Sequence, residues 1–299
     1  MLQSLADPVL PIFAVMMVGY LLGGARVLGP TDARAINQFA FYLGVPAIII
    51  WVVAKTPLDA LDWTAVLLFL ASQLTLYALV FAILHFGLKR EVRESLLLGM
   101  SAVFVNHVFF VLPIAERLYG DVARAHMSGI VMFDAGLLFC GTVLLVERLG
   151  NSGQSSLQSL FKNPFIYAPF IGIALGLLGE AAPTGILTFA EFAARAAPPV
   201  LLFTLGIILA ASPLFQTGLA CWIVVLAKCA LLPIVVFLAL DFAAVGEPGK
   251  LITLLVAAGP AGAMPFVIAG QYGISTTTIA KVILITTILS VFSISGLTA

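Results

Sequence analysis

The sequence is short of charge, of cysteine and of any long polar region. Only 9% of its 299 residues are Asp, Glu, Lys or Arg, against roughly a quarter in soluble domains. That shortage excludes a soluble globular chain of this length, whose few charges would barely cover its outside. Acidic and basic residues balance at 14 each. No basic block exists, so nucleic-acid binding has no electrostatic footprint. The three cysteines, Cys140, Cys221 and Cys229, lie in apolar runs with neither metal-ligand nor disulfide spacing, so they read as small apolar packers and no metal or cofactor is expected. HExxH, GxSxG and Walker A patterns are missing, so no enzyme activity and no ATP-driven pump is expected. No positive n-region precedes the first apolar run, which argues against a cleaved signal peptide.

What the chain has is apolar length. Apolar residues make up 62% of it, and a membrane-spanning helix needs roughly 20 of them. Apolar runs fall at 7–25, 36–54, 63–87, 95–118 and 126–147, then at 164–180, 187–211, 217–241, 250–271 and 277–297. The expected fold class is an all-α integral membrane protein with ten transmembrane helices in a lipid bilayer. Asn151 to Asn163 reads as a mid-chain linker. With the N-terminus outside, the inner loops carry Arg26, Arg34, Lys89, Arg90, Arg93, Arg148 and Lys162, and the outer ones Lys55, Arg117, Arg124, Arg195 and Lys250. That is a small excess inside.

The two halves resemble each other. Slid back by 153 residues, Pro164, Pro183 and Pro199 fall on Pro11, Pro30 and Pro46. Gly172 and Gly176 fall on Gly19 and Gly23, and Tyr272-Gly273 on Tyr119-Gly120. Coincident helix breakers across a whole half are what a duplicated unit leaves. Residues 1–150 and 151–299 therefore read as two five-helix repeats. Five is odd, so the second copy enters the membrane from the opposite side, an inverted repeat of the kind found in transporters.

The fourth and ninth spans carry the break signals: Asn106-His107 with Pro113 in one, Gly259-Pro260 with Pro265 in the other. Proline removes a backbone donor, and backbone freed at membrane depth must be buried in protein or line a wet cavity. The symmetric pair points to a binding site, although either break alone would read as an ordinary kink. Asn106 could bind substrate, tie the crossover together or bond between helices. His107 could carry a coupling proton or pack as a satisfied histidine. Asp134 and Lys228 lie near the centres of the fifth and eighth spans; intramembrane charges face a cavity or a partner, so the two could pair or line a path separately. Lys281 and His85 lie nearer span ends, where snorkelling explains them.

Several segments resemble the auxin efflux carrier family, which includes bacterial malonate and malate permeases and plant auxin exporters. They are Leu10-Pro11-Ile12-Phe13 with Gly19-Tyr20-Leu21, Phe41-Tyr42-Leu43-Gly44-Val45-Pro46-Ala47, Asn106 to Pro113 with Tyr119-Gly120, and Pro260 with Phe266-Val267-Ile268-Ala269 and Tyr272-Gly273. The resemblance covers nearly the whole chain. It implies a crossover of helices four and nine, a scaffold bundle against a mobile transport bundle, elevator-like alternating access for organic anions, often a homodimer, and a bacterial-type plasma (inner) membrane. The family commonly has Asn where Met264 stands, and small residues or glycine at His107, Val108 and Val111.

The expected function is a secondary transporter of a small organic anion, a carboxylate, with a membrane-embedded ligand sensor as the alternative. Asn106, His107, Pro113, Pro260, Met264, Pro265 and Lys228 are the expected substrate residues. Asp134 or His107 would carry a coupling proton if protons rather than sodium drive the cycle.

Overall fold

The computed structural model describes residues 2–56, 61–150, 164–211 and 217–297, and every regular element among them is a helix. The expected linker Asn151–Asn163 lies outside the described residues. Chain order gives α1 (Leu2–Gly24), α2 (Pro30–Lys55), α3 (Trp63–Gly87), α4 (Val92–Ser101), α5 (Leu112–Tyr119), α6 (Asp121–Leu149), α7 (Pro164–Leu178), α8 (Thr184–Ala210), α9 (Leu219–Phe242), α10 (Gly249–Ala258), α11 (Met264–Gln271) and α12 (Thr277–Leu297). Six of these, α2, α3, α6, α8, α9 and α12, are long and apolar enough to cross a membrane. Outward faces carry large apolar side chains such as Leu177, Phe192, Phe237 and Phe292, as contact with lipid requires.

Two helices start earlier than hydropathy suggests. Pro30 occupies the first position of α2, where its missing N–H is an orphan anyway, and the Gly29 N–H donates to Asp32 Oδ2 at 2.8 Å. Gly120, at φ 61°, makes the sharp corner that lets α6 begin at Asp121.

Prolines explain most of the irregular turns. Widened π-turns at Ala40–Gly44, His107–Val111 and Ala227–Leu231 are each followed by a helix whose second residue is proline: Pro46, Pro113 and Pro233. A proline ring crowds the turn before it and offers no N–H, and a wider turn relieves both problems.

Glycines set how closely the helices pack. A Cβ on Gly19 would lie 2.1 Å from the Phe203 carbonyl oxygen, and one on Gly23 3.1 Å from the Ile207 Cα, so α1 runs parallel to α8 in close backbone contact. On the other side, Gly172 lies against Ile50 and Val53, and Gly176 against Ala54, so α7 runs parallel to α2. Where α2 meets α8 they run antiparallel: Thr204 bonds Asn37, Gly44 meets Ala197, and Ala47 packs with Ala193 and Ala194. Positive-φ residues also recur along the chain. Arg26 and Gly179 are one pair, Gly120 and Gly273 another, both at a separation of 153.

Candidate functional site

Helices α4 and α10 both stop short. After Ser101, past a turn at Ala102 and Val103, and after Ala258 the chain leaves the helix, and the two segments lie antiparallel against each other. The Asn106 N–H donates to the Pro260 carbonyl at 2.9 Å, the Gly262 N–H donates to the Phe104 carbonyl at 2.9 Å, and Val105 bridges Ala261. Backbone groups freed by both breaks thus satisfy each other at depth.

Neighbouring spans supply the rest. Gln73 on α3, fully buried, donates through Nε2 to the Val103 carbonyl and to Asp134 Oδ2, both at 3.1 Å. On α9, Lys228 is also fully buried and its Nζ donates to the Ala257 carbonyl at 2.9 Å, near the C-terminal end of α10. Such an end carries partial negative charge, which an ammonium offsets. The Thr286 hydroxyl on α12 accepts from the Ala261 N–H at 3.1 Å.

His107 starts the turn that leads into α5. Its Nε2 lies 3.0 Å from Asp134 Oδ2, with both side chains buried. The N–H direction is out of line for a hydrogen bond, so this is a contact between ionisable groups. Asp134 Oδ1 and Gln73 Oε1 are buried without hydrogen-bond partners. Buried polar groups are ordinarily hydrogen-bonded, so these two oxygens are exceptions to the rule.

A cavity of about 70 Å³ opens at the crossover, room for roughly five water-sized groups. Asn106, His107, Asp134 and Met264 face it. The Asn106 carboxamide makes no hydrogen bond to any described residue. Most of the wall is apolar: Val45, Ile48 and Ile49 from α2, Leu201 and Leu202 from α8, with Phe104, Val131 and Phe139. Pro113, Pro260, Pro265 and Lys228 lie outside this lining. Pro113 is exposed, Pro260 and Pro265 are buried, and all three shape the backbone. Asp134 and Lys228 do not pair directly; each has its own partner. Lys281, read as an interfacial residue, is buried instead.

His107 also faces a larger cavity of about 790 Å³ at one end of the bundle, bordered by Lys55, Glu116, Asp121, Arg124 and Arg195. Arg124 pairs there with Glu116 at 2.7 Å and Asp121 at 3.2 Å. At the opposite end a pocket of about 380 Å³ holds Arg34, Asn37 and Thr277. That end is tied by Arg34 Nε to the Gly270 carbonyl at 3.3 Å and by Gln271 Nε2 to the Tyr42 hydroxyl at 2.8 Å.

Gln73 and Thr286 were not singled out by sequence. Gln73 carries the signal that flagged Asp134, a polar side chain in the middle of an apolar span, whereas Thr286 gives none, since threonine commonly bonds its own helix.

Apolar helices with an apolar exterior, and a pair of broken helices enclosing a small cavity, define a multi-pass integral membrane protein of the transport class. The chain matches the family described as Membrane transport protein over residues 4–146 and 146–298 and belongs to it; this is the auxin efflux carrier family that its motifs resemble. It is 30% identical to a Rhizobium meliloti (strain 1021) protein named "Putative malonate transporter", over 97% of this chain and 93% of that one. An "Uncharacterized transporter" of Methanothermobacter thermautotrophicus is 23% identical, over 96% and 95%. Among solved structures, the sodium proton antiporter MjNhaP1 from Methanocaldococcus jannaschii aligns with a TM-score of 0.67 at 17% identity, covering 95% of this chain and 89% of that one. It shares the fold. Several apolar spans and relatives in bacteria place it as an inner-membrane protein.

Proposed function

We propose that the protein is a secondary carrier that binds one small organic anion at the crossover and exposes it alternately to the two faces of the membrane. The observation that carries this reading is the pair of hydrogen-bonded breaks, with Asn106 lining the cavity and its carboxamide making no hydrogen bond to any described residue. A carboxamide N–H and nearby half-helix ends suit a carboxylate. A gradient of protons or sodium would drive the cycle.

Two inverted five-helix repeats, 1–150 and 151–299, are the architecture behind it. Parallel packing of α1 on α8 is mirrored by that of α7 on α2, and the contacting residues, Gly19 with Phe203 and Gly172 with Ile50, are displaced by the same 153 positions. Gly44 meets Ala197, its own partner at that offset. Antiparallel contact of α2 with α8 at that point supports a two-fold axis in the membrane plane. Scaffold helices α1, α2, α7 and α8 would stay fixed while the remainder slides as an elevator.

The cavity wall bears on substrate class. Aliphatic and aromatic side chains face a substrate body, and Asn106, His107 and Asp134 are gathered at the crossover. An apolar body bearing one carboxylate fits that wall better than a short dianion, whose second charge would meet apolar surface. Proteoliposomes given labelled malonate, isovalerate and indole-3-acetate test this. Saturable flux of a monocarboxylate that is lost in Asn106→Ala supports the carrier and its site. Binding without flux favours the sensor, and wild-type flux in Asn106→Ala moves the site elsewhere.

A further inference from the structure

The carrier reading leaves a charge imbalance, and this inference rests on that reading. Groups around the crossover can be counted element by element. From α3 comes neutral Gln73; from α6, Asp134; from α9, Lys228 with Cys229 beside it. On α12, Thr286 bonds the break, while Lys281 is buried near Cys221. The walls from α2 and α8 carry no ionisable group, nor do Gly262, Ala263 and Met264. Beyond the cavity stand Lys55, Glu116, Asp121, Arg124 and Arg195 in the vestibule.

Asp134 and Lys228 lie close enough for their charges to act on each other. A carboxylate entering this apolar cavity adds one negative charge next to Asp134, and a lone buried charge is costly unless compensated. Of the ionisable groups lining either cavity, His107 is the one that faces both the cavity and the vestibule. It can take a proton from vestibule water onto its ring nitrogen while Asp134 Oδ2 stands 3.0 Å from Nε2. The Gln73 amide donates to the same Asp134 oxygen.

We infer that each monocarboxylate binds together with one proton held on His107, so that the loaded site carries no added charge and the protein is a proton–anion symporter. The N–H bond forms on His107 when the anion arrives and breaks when it leaves on the other side. Substrate and proton then travel as a neutral pair, and the step is insensitive to membrane voltage.

Calorimetry on the purified full-length protein tests this, with isovalerate, indole-3-acetate and malonate titrated at pH 7.5 in phosphate and in Tris, buffers of very different ionisation heat. The expected result is about one proton taken up per monoanion bound, with Kd rising about tenfold per pH unit above neutrality. His107→Gln should abolish the uptake and flatten the pH dependence. If that variant does not fold or bind, the wild-type protein decides by its proton uptake and by the slope of its Kd with pH. A monoanion that binds the wild-type protein with no proton uptake and a flat Kd from pH 6 to 9 overturns the inference while leaving the carrier intact, as does unchanged uptake in a folded His107→Gln. If none of the three compounds binds, the anion reading itself falls, and this inference with it.

Discussion

Substituting Gly206 tests how closely α1 and α8 pack. An alanine Cβ there would sit 2.0 Å from the Met16 carbonyl oxygen and 2.7 Å from the Tyr20 nitrogen, both backbone atoms of α1. Ordinary contact begins at 3.4 Å. Backbone cannot rotate away as a side chain can, so α1 and α8 must part by more than an ångström along a shared interface. Overpacking typically costs about 1–3 kcal/mol, and this contact belongs at the upper end. Replacing glycine inside a helix returns about 1 kcal/mol, leaving a net loss of about 2 kcal/mol. For a chain this size that lowers the melting temperature by roughly 4–8 °C. Gly141 on α6 is the control: a Cβ there meets nothing within 4 Å, so Gly141→Ala should raise the melting temperature by roughly 2–4 °C. Tryptophan fluorescence melts of both variants in one detergent make the comparison. If Gly206→Ala melts at or above wild type, the close approach of α1 and α8 is wrong.

Asn106→Ala should weaken carboxylate binding by roughly 10- to 100-fold, the worth of a hydrogen bond to a charged group, with circular dichroism unchanged; isothermal titration gives the number. Lys228→Met strands the Ala257 carbonyl and the Asp134 charge, and should destabilise by about 3 kcal/mol. Adding Asp134→Asn should recover part of that loss, and strictly additive melting shifts would refute the coupling. Tyr42→Phe removes the hydroxyl that Gln271 donates to at 2.8 Å. If that bond helps keep one end shut, losing about 1 kcal/mol should raise the open population about fivefold. The readout is the maleimide labelling rate of a cysteine placed at Ser275 in a chain lacking Cys140, Cys221 and Cys229.

Much of this was legible in the sequence because membrane helices announce themselves by length. Spans read at 63–87 and 277–297 coincide with α3 and α12. Hydropathy missed the starts of α2 and α6, since Arg34, Asp121 and Arg124 mask helical turns beyond the apolar stretch. The breaks were readable from Pro260 and from Asn106-His107. Proline's role was harder to foresee: Pro113 and Pro265 stand just past the extended segments and shape the helices that follow. Asp134 and Lys228 were conspicuous as intramembrane charges, but no spacing along the chain could say that His107 would face Asp134 while Lys228 turned to a carbonyl. Those pairings depend on how α4, α6, α9 and α10 cross, a tertiary matter. The apolar wall from α2 and α8 was invisible for the opposite reason, since its residues look like every other lipid-soluble side chain.

The two strand-like bonds at the crossover also bear on mechanics. Because the Asn106 N–H is tied to Pro260 and the Gly262 N–H to Phe104, neither half of the chain can shift its binding groups alone. Four half-helices are thereby joined into one piece, and a slip between them would tear backbone bonds that lipid cannot replace. The same bonds that fold the site therefore fix the smallest part that can move.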